Sequence, residues 1–167
     1  LGEGWGEGVF NLIKASVNYY KNQGASMKQE LVENWMTKNL VTITSHANLM
    51  DVHKLMNEKG IRRLPVVDHD KLVGIITLGD VREAEPSGAT TLSIWEVNYL
   101  ISKLTIDQIM TRHPISIAPK ATIADAAKVM LDNKVSGLTV VNEYDHLMGI
   151  ITESDIFRMV VQSWHAD

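Results

Sequence analysis

Cysteine is absent from the 167 residues. That absence excludes disulfides, iron–sulfur clusters, thiolate zinc sites and cysteine nucleophiles together, and it suits a reducing compartment, so the expected location is the cytoplasm. No run of about 18 apolar residues is present to span a bilayer, and the first residues lack a basic stretch followed by an apolar core and a cleavage site. Positive charge is not in excess: 16 Lys and Arg stand against 20 Asp and Glu, a formal charge of -4. Without a general basic footprint for a phosphate backbone, nucleic acid is an unfavoured partner. Catalytic signatures are missing too. There is no Gly-x-Ser-x-Gly and no P-loop, and Gly4-Trp5-Gly6-Glu7-Gly8 has neither the preceding strand nor the spacing of a dinucleotide fingerprint. His46 and His53 flank Asp51 without a metal-ligand spacing, and Asp68 and Asp70 lie in turn-like sequence. The expectation is a chain that is not an enzyme, with no metal site and no catalytic cofactor.

What is present is ordinary globular composition, enough for one domain or for two small ones sharing a core. The first thirty residues read as an N-terminal extension. Val9, Leu12, Ile13, Val17 and Tyr20 have helical spacing and Gly24 is placed to end that helix. Met27 stands where a natural start could be, so the segment before it is either native or vector-derived.

The dominant feature is a repeat. Met36-Thr37 recurs as Met110-Thr111, an offset of 74 (36 to 110), and the same offset superimposes Ala47 on Ala121, Asp51 on Asp125, Met56 on Met130 and Leu64 on Leu138. After one inserted residue near His146, Gly74-Ile75-Ile76-Thr77-Leu78-Gly79-Asp80 lies over Gly149-Ile150-Ile151-Thr152-Glu153-Ser154-Asp155. Each copy reads as β-α-β-β-α. Short strands are predicted at 41–44 and 115–117. A helix with Leu49, Val52, Leu55 and Met56, or Ile123, Ala126, Ala127, Val129 and Met130, on one face follows in each copy. In the first copy, strands at 63–67 and 72–76 flank an Asp-rich turn, and a helix then begins after Thr77 with Asp80 in its first turn. Glu85-Pro86-Ser87-Gly88-Ala89 is a breaker-rich linker, and residues 91–101 form an amphipathic helix expected to clasp the copies with Leu92, Trp95 and Tyr99 inward, joined by Ile94 or Val97 as alternatives.

A β-α-β-β-α unit present twice, opening in Met-Thr, carrying Leu64-Pro65-Val66-Val67-Asp68 in the first copy and closing each time in Gly-Ile-Ile-Thr-x-x-Asp, resembles the CBS (cystathionine-β-synthase) domain. Two in tandem look like a freestanding CBS pair, or Bateman module, over about residues 31–161. The expected fold class is therefore α+β, with two CBS units related by pseudo-two-fold symmetry and an N-terminal helical extension. The expected boundaries are 1–30 for the extension, 31–86 for the first CBS domain, 87–104 for a linker and helix, and 105–163 for the second. Physical chemistry supplies a reason for the closing motif. A strand ending in Thr before a helix with Asp in its first turn presents backbone N–H groups, a hydroxyl and a carboxylate at one point, which suits a ribose beside a phosphate. The bland alternative is that Thr and Asp only cap the helix.

The resemblance further implies two clefts, each combining the Thr-x-x-Asp of one copy with early strands of the other. One would use Ile150, Thr152 and Asp155 with Val41, Ile61, Arg62 and Arg63; the other would use Ile75, Thr77 and Asp80 with Ile115, Val135, Ser136 and Gly137. Apolar side chains would sandwich a purine. Only the first cleft receives arginines, whose planar fork matches phosphate oxygens, so the Asp155 cleft is expected to hold phosphate more tightly and the Asp80 cleft to be weaker or adenosine-like. The second copy departs from the pattern where Gly137-Leu138-Thr139 replaces Arg63-Leu64-Pro65. Arg82 and Arg158, just beyond each motif aspartate, are within range of a phosphate, but helix-surface arginines usually face water. The implied function is a regulatory sensor of AMP, ADP or ATP, forming a homodimer through CBS helices, with an unidentified regulated protein as partner. The alternatives are a ligand-free dimerisation adaptor and, on the cluster Lys54, Lys59, Arg62 and Arg63 alone, a nucleic-acid binder.

Overall fold

The computed structural model of the chain describes residues 29–84 and 93–164. The predicted helix at 9–20, the linker at 85–89 and Leu92 lie outside the described residues. Two compact units divide the rest. A helical unit takes its described residues from 29–36, 119–137 and 151–164, and a sheet unit from 37–84, 93–118 and 138–150.

In the sheet unit the apolar spacing of the first copy becomes α2 (Leu49–Lys59), which buries Leu49, Val52 and Met56. Asn48 starts this helix by accepting the Met50 N–H at 2.8 Å, and Gly60, in the left-handed region at φ 63°, ends it. Its buried face packs on Leu64 and Val66 of β1 (Arg63–Asp68), Ile76 of β2 (Lys71–Thr77) and Val81 of α3 (Leu78–Ala84). Strands β1 and β2 form an antiparallel hairpin whose two loop residues, His69 and Asp70, both have positive φ (51° and 64°). Such mirror-image turns match the twist of paired strands. Loop acidity also serves the hairpin's end. Asp68 accepts the Ser45 N–H at 3.0 Å, and the Ser45 hydroxyl and then its backbone N–H hold the Asp68 carboxyl below its ordinary value of 3.8. A depressed carboxylate stabilises the fold fully above 3.8 and loses that contribution as pH falls through the lowered folded value. Urea unfolding titrated with acid is expected to show a smaller loss of stability below 3.8 for Asp68→Asn than for the parent chain.

The predicted strand at 41–44 is reduced to one parallel bridge. Ile43 donates to Pro65 O and accepts from the Val67 N–H, after which the chain leaves the sheet in a turn closed by Ala47 N–H to Thr44 O at 3.1 Å. Its counterpart survives as β4 (Ser116–Ile117), parallel to β5 (Gly137–Val141), with β6 (Leu147–Thr152) completing that three-stranded sheet. Thr139, where the first copy has Pro65, is fully buried, and its hydroxyl shares a 2.7 Å hydrogen bond with the Ser116 hydroxyl. The departure from the repeat thus buries a satisfied polar pair.

The opening segment of each repeat is exchanged. In the sheet unit, α5 (Ile106–Ile109) of the second copy is tied to the first: Leu49 N–H donates to Leu104 O, Ile106 N–H to Ala47 O and Asp107 N–H to Ser45 O. The following Thr111 and Arg112, β3, then add to the hairpin by pairing with Ile75 and Gly74 of β2. In the helical unit, α1 (Val32–Trp35) of the first copy makes the reciprocal bonds at the repeat-equivalent positions: Ile123 N–H to Glu30 O, Val32 N–H to Ala121 O and Glu33 N–H to Pro119 O. Each β-α-β-β-α copy therefore completes itself with backbone groups from the other.

The helical unit is built by α1, α6 (Ile123–Asn133) and α7 (Glu153–Trp164). Thr122 and Asp125 cap α6 reciprocally, and Ile123, Ala126 and Met130 on α6 and Met159 on α7 are buried. Lys134 ends α6 in the left-handed region at φ 54°, the position that Gly60 occupies after α2. A side chain there carries a steric cost that glycine lacks, so Lys134→Gly is expected to raise stability by about 0.5–1 kcal/mol in urea unfolding.

One expectation fails. On α4 (Ile94–Lys103), Trp95 is 81% exposed and Tyr99 63% exposed instead of facing inward. This helix carries apolar residues on more than one face, and Ile101, with Leu104 just beyond the helix, packs against the core in their place. Met50 is likewise half exposed, whereas Met56, Met130 and Met159 are core.

Candidate functional site

Both Thr-x-x-Asp motifs fold alike. Thr77 closes β2 and Asp80 falls in the first turn of α3; Asp80 Oδ2 accepts the Thr77 N–H at 2.7 Å and the Thr77 hydroxyl at 2.8 Å, while Thr77 Oγ1 accepts the Asp80 N–H at 3.2 Å. In the second copy Asp155 Oδ2 accepts the Thr152 N–H at 2.9 Å and the Thr152 hydroxyl at 2.7 Å. Geometry of this kind is helix capping, and Thr122 with Asp125 makes the same contacts on an exposed surface. Burial separates the cases. Asp155 is only 4% exposed, and a nearly buried carboxylate is costly to keep where a cap alone is needed.

The motif aspartates also differ from each other. Asp155 Oδ1 pairs with Arg158 Nη1 at 3.0 Å, so this arginine turns back onto the motif and does not simply face water. Sequence reasoning had the signal, since residues three apart on a helix are neighbours, whereas Arg82 stands two from Asp80 and is on another face.

The remaining predicted residues fall into two groups. In the sheet unit, Arg63 pairs in register with Thr77, and the Arg62 carbonyl accepts the Leu78 N–H at 2.9 Å, which sets Arg62 and Arg63 beside Thr77. Ile61, Ile75 and Val41 are half-buried there, Ile150 is buried, and Ile115 is 38% exposed. In the helical unit, the Ser136 carbonyl accepts the Glu153 N–H at 3.3 Å, so Val135, Ser136 and Gly137 adjoin Thr152 and Asp155. These backbone contacts join each Thr-x-x-Asp to the strand that precedes it within its own copy. Gly79, inside the first motif, has room: an added Cβ would meet only Thr77 Oγ1 at 3.4 Å, an ordinary contact. The basic cluster proposed for nucleic acid is partly spent, because Lys54 pairs with Glu58 at 3.8 Å. Among the described residues no group of three His, Cys, Asp or Glu could hold a metal ion, and no helix is long and apolar enough to cross a membrane.

Comparison with known proteins places this geometry in context. The family model for the CBS domain matches residues 32–87 and 106–162. Among solved structures, the chain resembles the CBS domain pair of protein MJ0100, crystallised with 5'-methylthioadenosine and S-adenosyl-L-methionine. The identity is 32% and the TM-score 0.65, covering 79% of this chain and 96% of that one. It also resembles CBSX2 from Arabidopsis thaliana, solved in complex with AMP, at 29% identity and TM-score 0.66, over 80% of this chain and 97% of that one. Among curated proteins, the inosine-5'-monophosphate dehydrogenase of Korarchaeum cryptofilum is 32% identical over 142 residues, which is 85% of this chain but 26% of that enzyme. The first four curated relatives are matched over only 23% to 47% of their own lengths.

Proposed function

Because the chain belongs to the CBS-domain family and carries two such domains in tandem, we propose that it is a regulatory module that binds AMP, ADP or ATP and itself catalyses no reaction. The observation that carries this reading is Asp155: a nearly buried carboxylate, held by Thr152 at the start of a twelve-residue helix. Its charge accepts ribose hydroxyls, and the positive end of the α7 dipole favours phosphate. In this proposal Thr152 and Asp155 form the tighter phosphate site. Ile75, Thr77 and Asp80 form a weaker, adenosine-like one. The relatives solved with AMP, S-adenosyl-L-methionine and 5'-methylthioadenosine support the ligand class. A bound nucleotide signals by its different affinity for two arrangements of the copies, and a regulated protein reads the result.

A homodimer is part of the proposal. Leu131, Phe157 and Trp164 are 78%, 67% and 71% exposed on α6 and α7, and a second copy of the chain is the occupant we propose for them. The same exposure favours one alternative, a dimerisation adaptor that binds no ligand.

Calorimetric titration of nucleotide-stripped protein with AMP, ADP, ATP and S-adenosyl-L-methionine tests the reading. Saturable heat with an adenine nucleotide is the expected result. No heat, together with an unchanged melting temperature at millimolar nucleotide, would leave the adaptor.

A further inference from the structure

Capacity at the two motif carboxylates is unequal. Each carboxylate oxygen accepts about two hydrogen bonds. Asp155 Oδ2 already takes two from Thr152, and Oδ1 faces the Arg158 guanidinium at 3.0 Å. One acceptor position is left on a side chain that is 5% exposed, which is too few for both hydroxyls of a ribose. Asp80 Oδ2 is equally filled by Thr77, but Asp80 Oδ1 accepts no hydrogen bond from any described residue. Arg158 itself is 56% exposed, so its guanidinium can swing into water without disturbing the core.

We infer that Arg158 is a displaceable counter-ion that latches the Asp155 carboxylate, and that a ribose must release it before both hydroxyls can bind. The inference rests on the proposed reading of Asp155 as a ribose acceptor. It adds a threshold to that site which the Asp80 site lacks, so a neutral nucleoside fills the Asp80 site first. Its physical content is competition for one oxygen: the guanidinium gains charge-assisted hydrogen bonding from Asp155 that the ligand has to replace.

Neutral adenosine is the appropriate probe, because salt then acts on the latch and not on the ligand's charge. Calorimetry on Asp80→Asn isolates the Asp155 site, and Asp80→Asn/Arg158→Gln removes the latch while changing only an exposed side chain. Adenosine is expected to bind the double variant about threefold to fivefold more tightly. Raising salt from about 50 mM to about 300 mM is expected to tighten binding in Asp80→Asn and leave the double variant unchanged. Equal or weaker binding on loss of Arg158, or binding in Asp80→Asn that ignores salt, overturns the latch. Failure of the underlying reading looks different: adenosine then binds Asp80→Asn/Asp155→Asn as well as Asp80→Asn, or binds neither Asp80→Asn nor its Arg158→Gln derivative. Heat in the double variant alone supports both the latch and the reading.

Discussion

Replacing Asp155 by alanine is expected to weaken adenine-nucleotide binding at its site about a hundredfold, because each hydrogen bond to a charged acceptor contributes about 1.5–3 kcal/mol and a ribose loses the whole acceptor. The same substitution also strips the cap from α7. The Thr152 N–H and hydroxyl both donate to Asp155 Oδ2, so a stability loss of about 1 kcal/mol accompanies the loss of binding. Asp155→Asn separates the effects. Its amide oxygen can still accept from the Thr152 N–H, but its amide nitrogen cannot accept a ribose hydroxyl, so the fold is retained while binding falls. Isothermal calorimetry alongside thermal melting reads both quantities, with Asp80→Ala as the comparison. If nucleotide binding survives Asp155→Asn and disappears only with Asp80→Ala, the first copy holds the functional carboxylate and the ranking of the two sites is reversed.

The second large effect is on folding. Gly74 stands on β2 opposite Arg112 of the exchanged strand, and a Cβ added there would lie 2.5 Å from Met110 Sδ and 3.1 Å from the Thr111 carbonyl oxygen. The methionine can move, but the carbonyl is part of the backbone that pairs with Ile75. Gly74→Val is therefore expected to lower stability by about 3 kcal/mol in urea unfolding, and Gly74→Ala by about half as much. Adding Met110→Ala relieves only the side-chain contacts, with the sulfur and with Cγ, and leaves the carbonyl one. A Gly74→Ala chain as stable as the parent would show that the exchanged segment is not held closely enough to matter. The argument also says what this glycine is for. Its φ is ordinary, so the requirement is space for the other copy's chain.

Most of the architecture was legible in the residues because it is local. Period-3.6 spacing of Leu49, Val52 and Met56, turn chemistry at Asp68 to Asp70, and the doubled Gly-Ile-Ile-Thr-x-x-Asp each depend on neighbours within a few positions, and each became the predicted helix, hairpin or strand-to-helix turn. Trp95 and Tyr99 show the limit of such patterns. A helix with apolar residues on more than one face has several candidate inward faces, and the choice depends on what packs against it. The exchange of opening segments was equally beyond sequence reading. A backbone hydrogen bond such as Leu49 N–H to Leu104 O carries no side-chain signature, and repeat copies with the same pattern are equally suited to pairing within a copy or between copies.

The candidate site divides in the same way. Sequence by itself determined the family and the α+β class and singled out Thr77, Asp80, Thr152 and Asp155 as the candidate residues, because a doubled motif with fixed spacing survives without knowledge of the fold. Only the tertiary structure decided that Asp155 is nearly buried; the Arg158 contact, three residues away on the same helix, was open to sequence reading. The physical reason is that burial and acceptor capacity are properties of an environment. Asp80 and Asp155 hold the same place in the doubled motif, yet the packing around them, which no local pattern records, leaves Asp155 buried and Asp80 partly exposed.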